Sequence, residues 1–161
     1  MTFRILLAAA VAVSWLAADG VLAQDRKPAK KEVDAIRACA AKYANDVFEA
    51  ERRCLFNLIA TPCTKRPEAK SNAGTADCYR REQAIWDDLL NENFRALNGD
   101  LDDEQKTKAR DMQRAWIAYR DTTCAFYYDK IQGSMATSMT AACLARETAR
   151  RALLLAFFAT L

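Results

Sequence analysis

The amino-acid sequence predicts an all-α protein, a disulfide-stapled bundle of about four helices, on three observations. Apolar residues recur at spacings of three and four over long stretches, while no useful length alternates with a period of two. Only four glycines and three prolines punctuate 161 residues. Six cysteines, an even number, supply the staples.

The length is that of one domain. Residues 1–23 read as a signal peptide: Arg4 precedes the apolar run Ile5 to Ala18, and Val21-Leu22-Ala23 offers the small or branched residues a signal peptidase prefers, with cleavage after Ala23. Asp19 and Gly20 cut that run short of the roughly 20 residues a bilayer span needs, so no stable membrane anchor is expected after cleavage. Gln24 rather than a cysteine follows the cleavage point, which leaves no lipidation site. The mature protein is therefore expected in the periplasm or secreted. The basic run Arg26-Lys27-Pro28-Ala29-Lys30-Lys31 makes residues 24–31 a disordered N-terminus, ahead of a single helical domain over 32–161.

The first helix is predicted over Glu32 to Ala60, where Val33, Ile36, Ala40, Tyr43, Val47, Ala50 and Cys54 form one apolar stripe and no Gly or Pro intervenes. Pro62 and Pro67 end it. The polar segment Lys65 to Thr75, with Ser71-Asn72-Ala73-Gly74, reads as the one long loop. Cys78 to Leu97 places Ile85, Leu89 or Leu90, Phe94 and Leu97 on a second helical face, and Asn98-Gly99 offers a left-handed stop. Asp102 and Gln105 form a capping box that opens a third helix running to about Ile131, with Ala109, Met112, Trp116, Tyr119, Thr123 and Phe126 as its stripe. Gln132-Gly133-Ser134 breaks it, and a fourth helix covers about Ala141 to Phe158.

All six cysteines, Cys39, Cys54, Cys63, Cys78, Cys124 and Cys143, follow the leader, and an even set in an exported domain reads as a disulfide framework. Cys54 and Cys63, the closest pair, are too far apart in sequence for a C-x-x-C redox motif or a zinc clamp. Helices joined by a short turn pack antiparallel, which predicts Cys124–Cys143 across the turn between the third and fourth helices. In an unbroken first helix Cys39 and Cys54 stand about 22 Å apart, beyond the roughly 4 to 7 Å a bridge allows. Cys54–Cys63 and Cys39–Cys78 follow. Cys63–Cys78 stays open only if the first helix is broken.

Composition narrows the function. The chain has no histidine, which removes His-based acid/base catalysis, His-paired nucleophiles and His metal sites. No glycine-rich phosphate loop occurs, and a net charge of +3 mixed with 21 acidic residues does not argue for a nucleic-acid partner. Asp87 and Asp88 cannot act as a glycosidase pair, because adjacent helix residues point about 100° apart. Neither catalysis, a cofactor nor a metal is expected.

Two clusters stand out from generic core: Asp87, Leu90, Asn91, Phe94 and Leu97, then Gln113, Arg114, Trp116, Tyr119, Arg120, Asp121 and Cys124. Gly133 and Ser134 follow, then Cys143, Thr148 and Arg151. In these residues the chain, over about Cys78 to Leu155, resembles the LprI-type lysozyme inhibitor family, whose pattern carries a W-x-x-[YF]-R-D-x-x-C run. The resemblance implies a helical, disulfide-bonded envelope protein that binds c-type lysozyme and occludes its cleft. The competing class is a non-enzymatic envelope scaffold or stress-related binding module with another partner. A net +3 gives no long-range attraction toward a strongly basic c-type lysozyme.

For the motif residues two uses compete. In a packing use, Arg120 forks onto Asp87 or Asp121, Asn91 ties helix backbones together and Trp116 fills the core with Leu90. In a binding use, Tyr119, Arg120 and Asp121 are exposed as a recognition patch, since Tyr and Arg are prominent in interface energetics. The acidic connection Asp100, Asp102, Asp103 and Glu104 is a second binding candidate, against the pull of the helix dipole toward a capping role. The Lys65 to Gly74 loop is a third.

Overall fold

The structure, a computed structural model, describes residues 27–161; the leader expected over 1–23 lies outside the described residues. Among the described residues the chain forms α1 (Lys30–Lys42), α2 (Val47–Cys54), α3 (Ala60–Thr64), a 3-10 turn (Pro67–Ala69), α4 (Asn72–Gly99), α5 (Asp103–Ile131) and α6 (Ser134–Phe158), with no strand. The fold is an all-α bundle stapled by three disulfides.

Short connections make α4, α5 and α6 run up, down and up, so α4 and α6 are parallel. Asn72 Nδ2 donates to Ser134 Oγ (2.9 Å) near one end of that pair, and Asn93 Nδ2 donates to the Ala152 carbonyl (2.9 Å) toward the other. Between them lies the core: Ile85 and Trp86 of α4 and Leu153 and Leu155 of α6, closed by Ile36 of α1 and by Leu55 and Ile59 after α2. Burying each large side chain contributes about 1.5–3 kcal/mol. Helix α5 is held at the edge of this pair and buries only Ala109, Gln113 and Cys124. Of its expected stripe, Met112 and Trp116 are half-buried, and Tyr119, Thr123 and Phe126 are exposed.

The N-terminal third departs most from expectation. The long first helix is broken: Asp46 is extended and accepts a hydrogen bond from the Glu49 amide (2.9 Å), which starts α2 as a separate helix. α1 and α2 fold against one another, and this brings Cys39 and Cys54 to a Cα separation of 5.8 Å, where they are bridged. Cys63 pairs with Cys78 (Cα separation 5.6 Å) and Cys124 with Cys143 (5.5 Å). The expected Cys54–Cys63 and Cys39–Cys78 bridges are thus replaced, because the 22 Å separation that excluded Cys39–Cys54 exists only in an unbroken helix. Within the basic N-terminus expected to be disordered, Lys30 and Lys31 belong to α1 and the Ala29 amide donates to Glu32 Oε2 (2.7 Å), while residues 24–26 lie outside the described residues.

The expected long loop is mostly structured. Ser71 caps α4 by accepting from the Gly74 amide (3.0 Å), and Thr75 Oγ1 donates back to the Ala69 carbonyl (2.9 Å). α4 therefore begins six residues ahead of Cys78. A Cβ on Gly74 would stand 2.6 Å from the Glu68 carbonyl oxygen, so only glycine lets the 3-10 turn approach the helix this closely. At the other end Gly99 is helical, and among the described residues no glycine has a positive φ; the left-handed residue that ends α5 is Gln132. α6 starts at Ser134, seven residues ahead of the expected Ala141.

Among the described residues Glu82 of α4 is the most deeply buried acid, at 0% exposure. Its carboxylate accepts from the amides of Phe56 (2.7 Å) and Ala60 (2.9 Å) and from Trp86 Nε1 (3.0 Å). It thereby anchors the tight turn in which Phe56 adopts a positive φ of 64°. Burial pushes this carboxyl above its ordinary range, against the opposing effect of the three donors.

Candidate functional site

Because α5 packs on α6 and stands off from α4, an open groove of about 430 Å³ runs between α4 and α5. One wall is the stretch from Asp87 to Phe94, and the other is the stretch from Arg110 to Arg120. The two motif clusters, remote in sequence, thus face each other. The groove is apolar at Leu90, Phe94, Trp116 and Ile117, and its charged lining is three arginines, Arg110, Arg114 and Arg120, against one aspartate, Asp87.

The packing use holds only in part. Arg120 pairs with Asp121 (Nε to Oδ1, 2.8 Å) rather than with Asp87, and lies over the Trp116 ring at 4.9 Å. Asn91 Nδ2 donates to Asp87 Oδ2 (3.3 Å) within its own helix, while the tie between helix backbones is made by Asn93. Trp116 is half-buried at the core's margin, and the core indole is Trp86. Leu90 is buried as expected. Asp121 and Tyr119 are exposed, Tyr119 by 55% of its surface, while the Arg120 side chain is largely covered.

Behind the α5 wall lies a residue whose environment the sequence did not reveal. Arg151 of α6 is 7% exposed, donates from Nε to Gln113 Oε1 (2.5 Å) and places its guanidinium 5.6 Å from the Trp116 ring. Among the described residues no carboxylate forms an ion pair with it, and burial pulls its guanidinium below the ordinary value. One turn earlier on α6, Thr148 is fully buried. Arg151 Nη2 and Thr148 Oγ1 have no hydrogen-bond partner among the described residues.

The acidic connection serves as helix punctuation. Asp102 accepts from the Gln105 amide (2.8 Å) while Gln105 Oε1 accepts from the Asp102 amide (3.0 Å), the expected capping box. Asp100 caps the end of α4, Glu104 pairs with Lys108 (2.7 Å) and Asp103 lies 4.0 Å from Lys106. A second hollow, of about 330 Å³, opens between α1, α2, α4 and α6 over Val47, Trp86 and Leu89. Arg37 and Glu92 close its side with a forked ion pair (2.8 and 2.5 Å), which lowers the Glu92 carboxyl and raises the Arg37 guanidinium from their ordinary values. Among the described residues, no group of three or more Cys, Asp or Glu is placed to hold a metal ion.

A family model described as "Lysozyme inhibitor LprI" matches residues 63–155, more than half of the chain. The protein belongs to the LprI lysozyme inhibitor family. No curated protein and no solved structure matches it. Within the LprI match lie both walls of the groove, Arg151, and the Cys63–Cys78 and Cys124–Cys143 bridges. α1, α2 and the Cys39–Cys54 bridge fall outside it, and the α1–α2 hollow draws more than half of its wall from beyond the matched segment. The family is one of inhibitors, not of enzymes.

Proposed function

We propose that this protein is an exported inhibitor that binds c-type lysozyme and occludes its cleft, using the α4–α5 groove and the exposed edge beside it as the contact face. The convergence of the motif residues on one open groove, inside the LprI-matched segment, carries this reading. The groove presents residue types that dominate protein interfaces, Trp116 and arginines, and the exposed Tyr119 of α5 lies outside its lining. Local charge also suits the target. Although both proteins are basic overall, a lysozyme cleft holds a pair of carboxylates, and an arginine-lined surface is complementary to those even when net charges repel.

Export is part of the same proposal: a signal peptide over residues 1–23 is removed after Ala23, and the mature chain acts in the periplasm or outside the cell. No helix among the described residues is long and apolar enough to cross a membrane. The test is a titration of oxidised protein against c-type lysozyme acting on cell-wall substrate. The proposal expects lysis to slow in proportion to occupancy, with Tyr119→Ala and Arg120→Ala weakening the effect. Unslowed lysis at micromolar excess, at low and moderate salt, rejects it in favour of a scaffold with another partner.

A further inference from the structure

The α4–α5 groove is lined by three arginines, Arg110, Arg114 and Arg120, and by one aspartate, Asp87, on the opposite wall. Arg120 and Arg114 each have an aspartate neighbour on α5, Asp121 at 2.8 Å and Asp111 at 3.4 Å; the Arg114–Asp111 pair is exposed on both sides and holds little energy, while the largely covered Arg120 meets an exposed Asp121. Arg110 hydrogen-bonds Thr107 Oγ1 (2.9 Å) and forms no ion pair among the described residues. Arg151, nine-tenths buried, lies against the two wall residues Gln113 and Trp116, and its Nη2 has no hydrogen-bond partner among the described residues. A buried, uncompensated guanidinium is costly to the fold, and an opposite charge brought near it would offset that cost. In a poorly polarisable interior its field reaches the groove with little screening.

We infer that the groove is a receptor for a carboxylate presented by an acidic, apolar-flanked segment of a partner protein, gripped by Arg110, Arg114 and Arg120 and drawn in by the buried charge of Arg151. Leucine-like neighbours of that carboxylate would settle on Leu90, Phe94 and Ile117. Trp116 links the two parts, because Arg120 and Arg151 both lie over its ring and the cation–π contacts hold the Arg120 fork at the rim. Arg151 is a positioning residue that need not touch the partner. The inference rests on the reading that the groove faces a partner protein, and it names the chemistry that partner must supply.

The test uses 15N-labelled oxidised protein titrated with a short blocked peptide alternating leucine and glutamate, and with its leucine–glutamine counterpart. The glutamate peptide should shift the Trp116 indole and the Arg110, Arg114 and Arg120 Nε–H signals saturably, and bind about tenfold or more tightly than the neutral peptide. Arg110→Gln with Arg114→Gln, both exposed, should remove most of that difference; Arg151→Met should weaken glutamate-peptide binding and alter the Trp116 signal while helicity is retained. Equal binding of the two peptides, indifference to Arg110→Gln with Arg114→Gln, or the same saturable shifts from acetate alone would overturn the inference. So would tighter binding of a soluble cell-wall stem peptide, which would make the wall the occupant. Lysozyme binding measured on the same samples separates the two readings. Peptide binding without lysozyme binding rejects the proposed function alone, and lysozyme binding unaffected by the arginine substitutions rejects this inference alone.

Discussion

Replacing Glu82 by Gln exchanges one carboxylate oxygen for an NH2 group and tests how the buried carboxylate holds the N-terminal third onto α4. The carboxylate accepts three hydrogen bonds, from Phe56 N and Trp86 Nε1 on one oxygen and from Ala60 N on the other. An amide keeps one acceptor. With its oxygen at the first position, its NH2 group faces the Ala60 amide, two donors meet, and that backbone donor is left buried and unpaired. Losing one charge-assisted bond and stranding its donor costs about 2–4 kcal/mol, part of it offset by no longer burying a charge. The net expectation is a loss of about 2 kcal/mol, against the roughly 5–15 kcal/mol that a domain nets. Urea unfolding of oxidised parent and variant, followed by far-UV circular dichroism, measures it. The pH dependence has a definite sign. Burial raises the folded carboxyl above its unfolded value, so its contribution is fully present below the unfolded value near 4.3 and is lost as pH rises through the folded one. The parent's margin over Glu82→Gln should therefore narrow from acid toward neutral pH. A variant as stable as the parent at every pH, or a margin that widens with pH, would refute the reasoning.

Three further substitutions probe the same architecture. Gly74→Ala, in the first turn of α4, where alanine is ordinarily a better helix former than glycine, should instead cost about 1–3 kcal/mol in urea unfolding, because the new Cβ meets the backbone of Glu68 and Ala69 at 2.6 and 2.8 Å. Asn93→Ala should cost about 1 kcal/mol by removing the tie to the Ala152 carbonyl, whereas Asn91→Ala, which loses only an exposed contact with Asp87, should stay within about 0.5 kcal/mol. Removing the Cys39–Cys54 bridge with paired alanines should lower stability by about 3 kcal/mol, as expected for a loop of this length, yet leave lysozyme inhibition intact because the bridge lies away from the groove.

Local chemistry was readable in the sequence, and what depended on neighbours was not. The Asp102–Gln105 capping box, the extent of α5 and the Cys124–Cys143 bridge follow from residues close along the chain. The break between α1 and α2 carries no Gly or Pro, so the apolar stripe ran across it. Its signal was Asp46 followed three residues later by Glu49, a helix start inside the stripe. The wrong cysteine pairs followed from that one omission. Tryptophans on two helical stripes look alike, and Trp86 is the core residue because α4 is covered by α1, α2 and α6 while α5 is covered along one narrow face. Glu82 sits one turn before Trp86, a spacing that allows the indole to donate to it but does not reveal the two backbone donors from the Phe56–Ala60 turn. The motif residues Arg114, Thr148 and Arg151 were recognisable as a pattern; that Arg114 lines a groove and that Arg151 is buried behind it depend on α5 standing away from α4.

Hydroxyl-radical footprinting of the oxidised protein, alone and saturated with c-type lysozyme, tests the assignment of the contact face most directly. The account predicts that Trp116 and Tyr119 lose reactivity in the complex while Phe48, 85% exposed on α2, and Phe126, 61% exposed farther along α5, keep theirs. Protection of Phe48 with Trp116 and Tyr119 unchanged, or no protection anywhere, would contradict it.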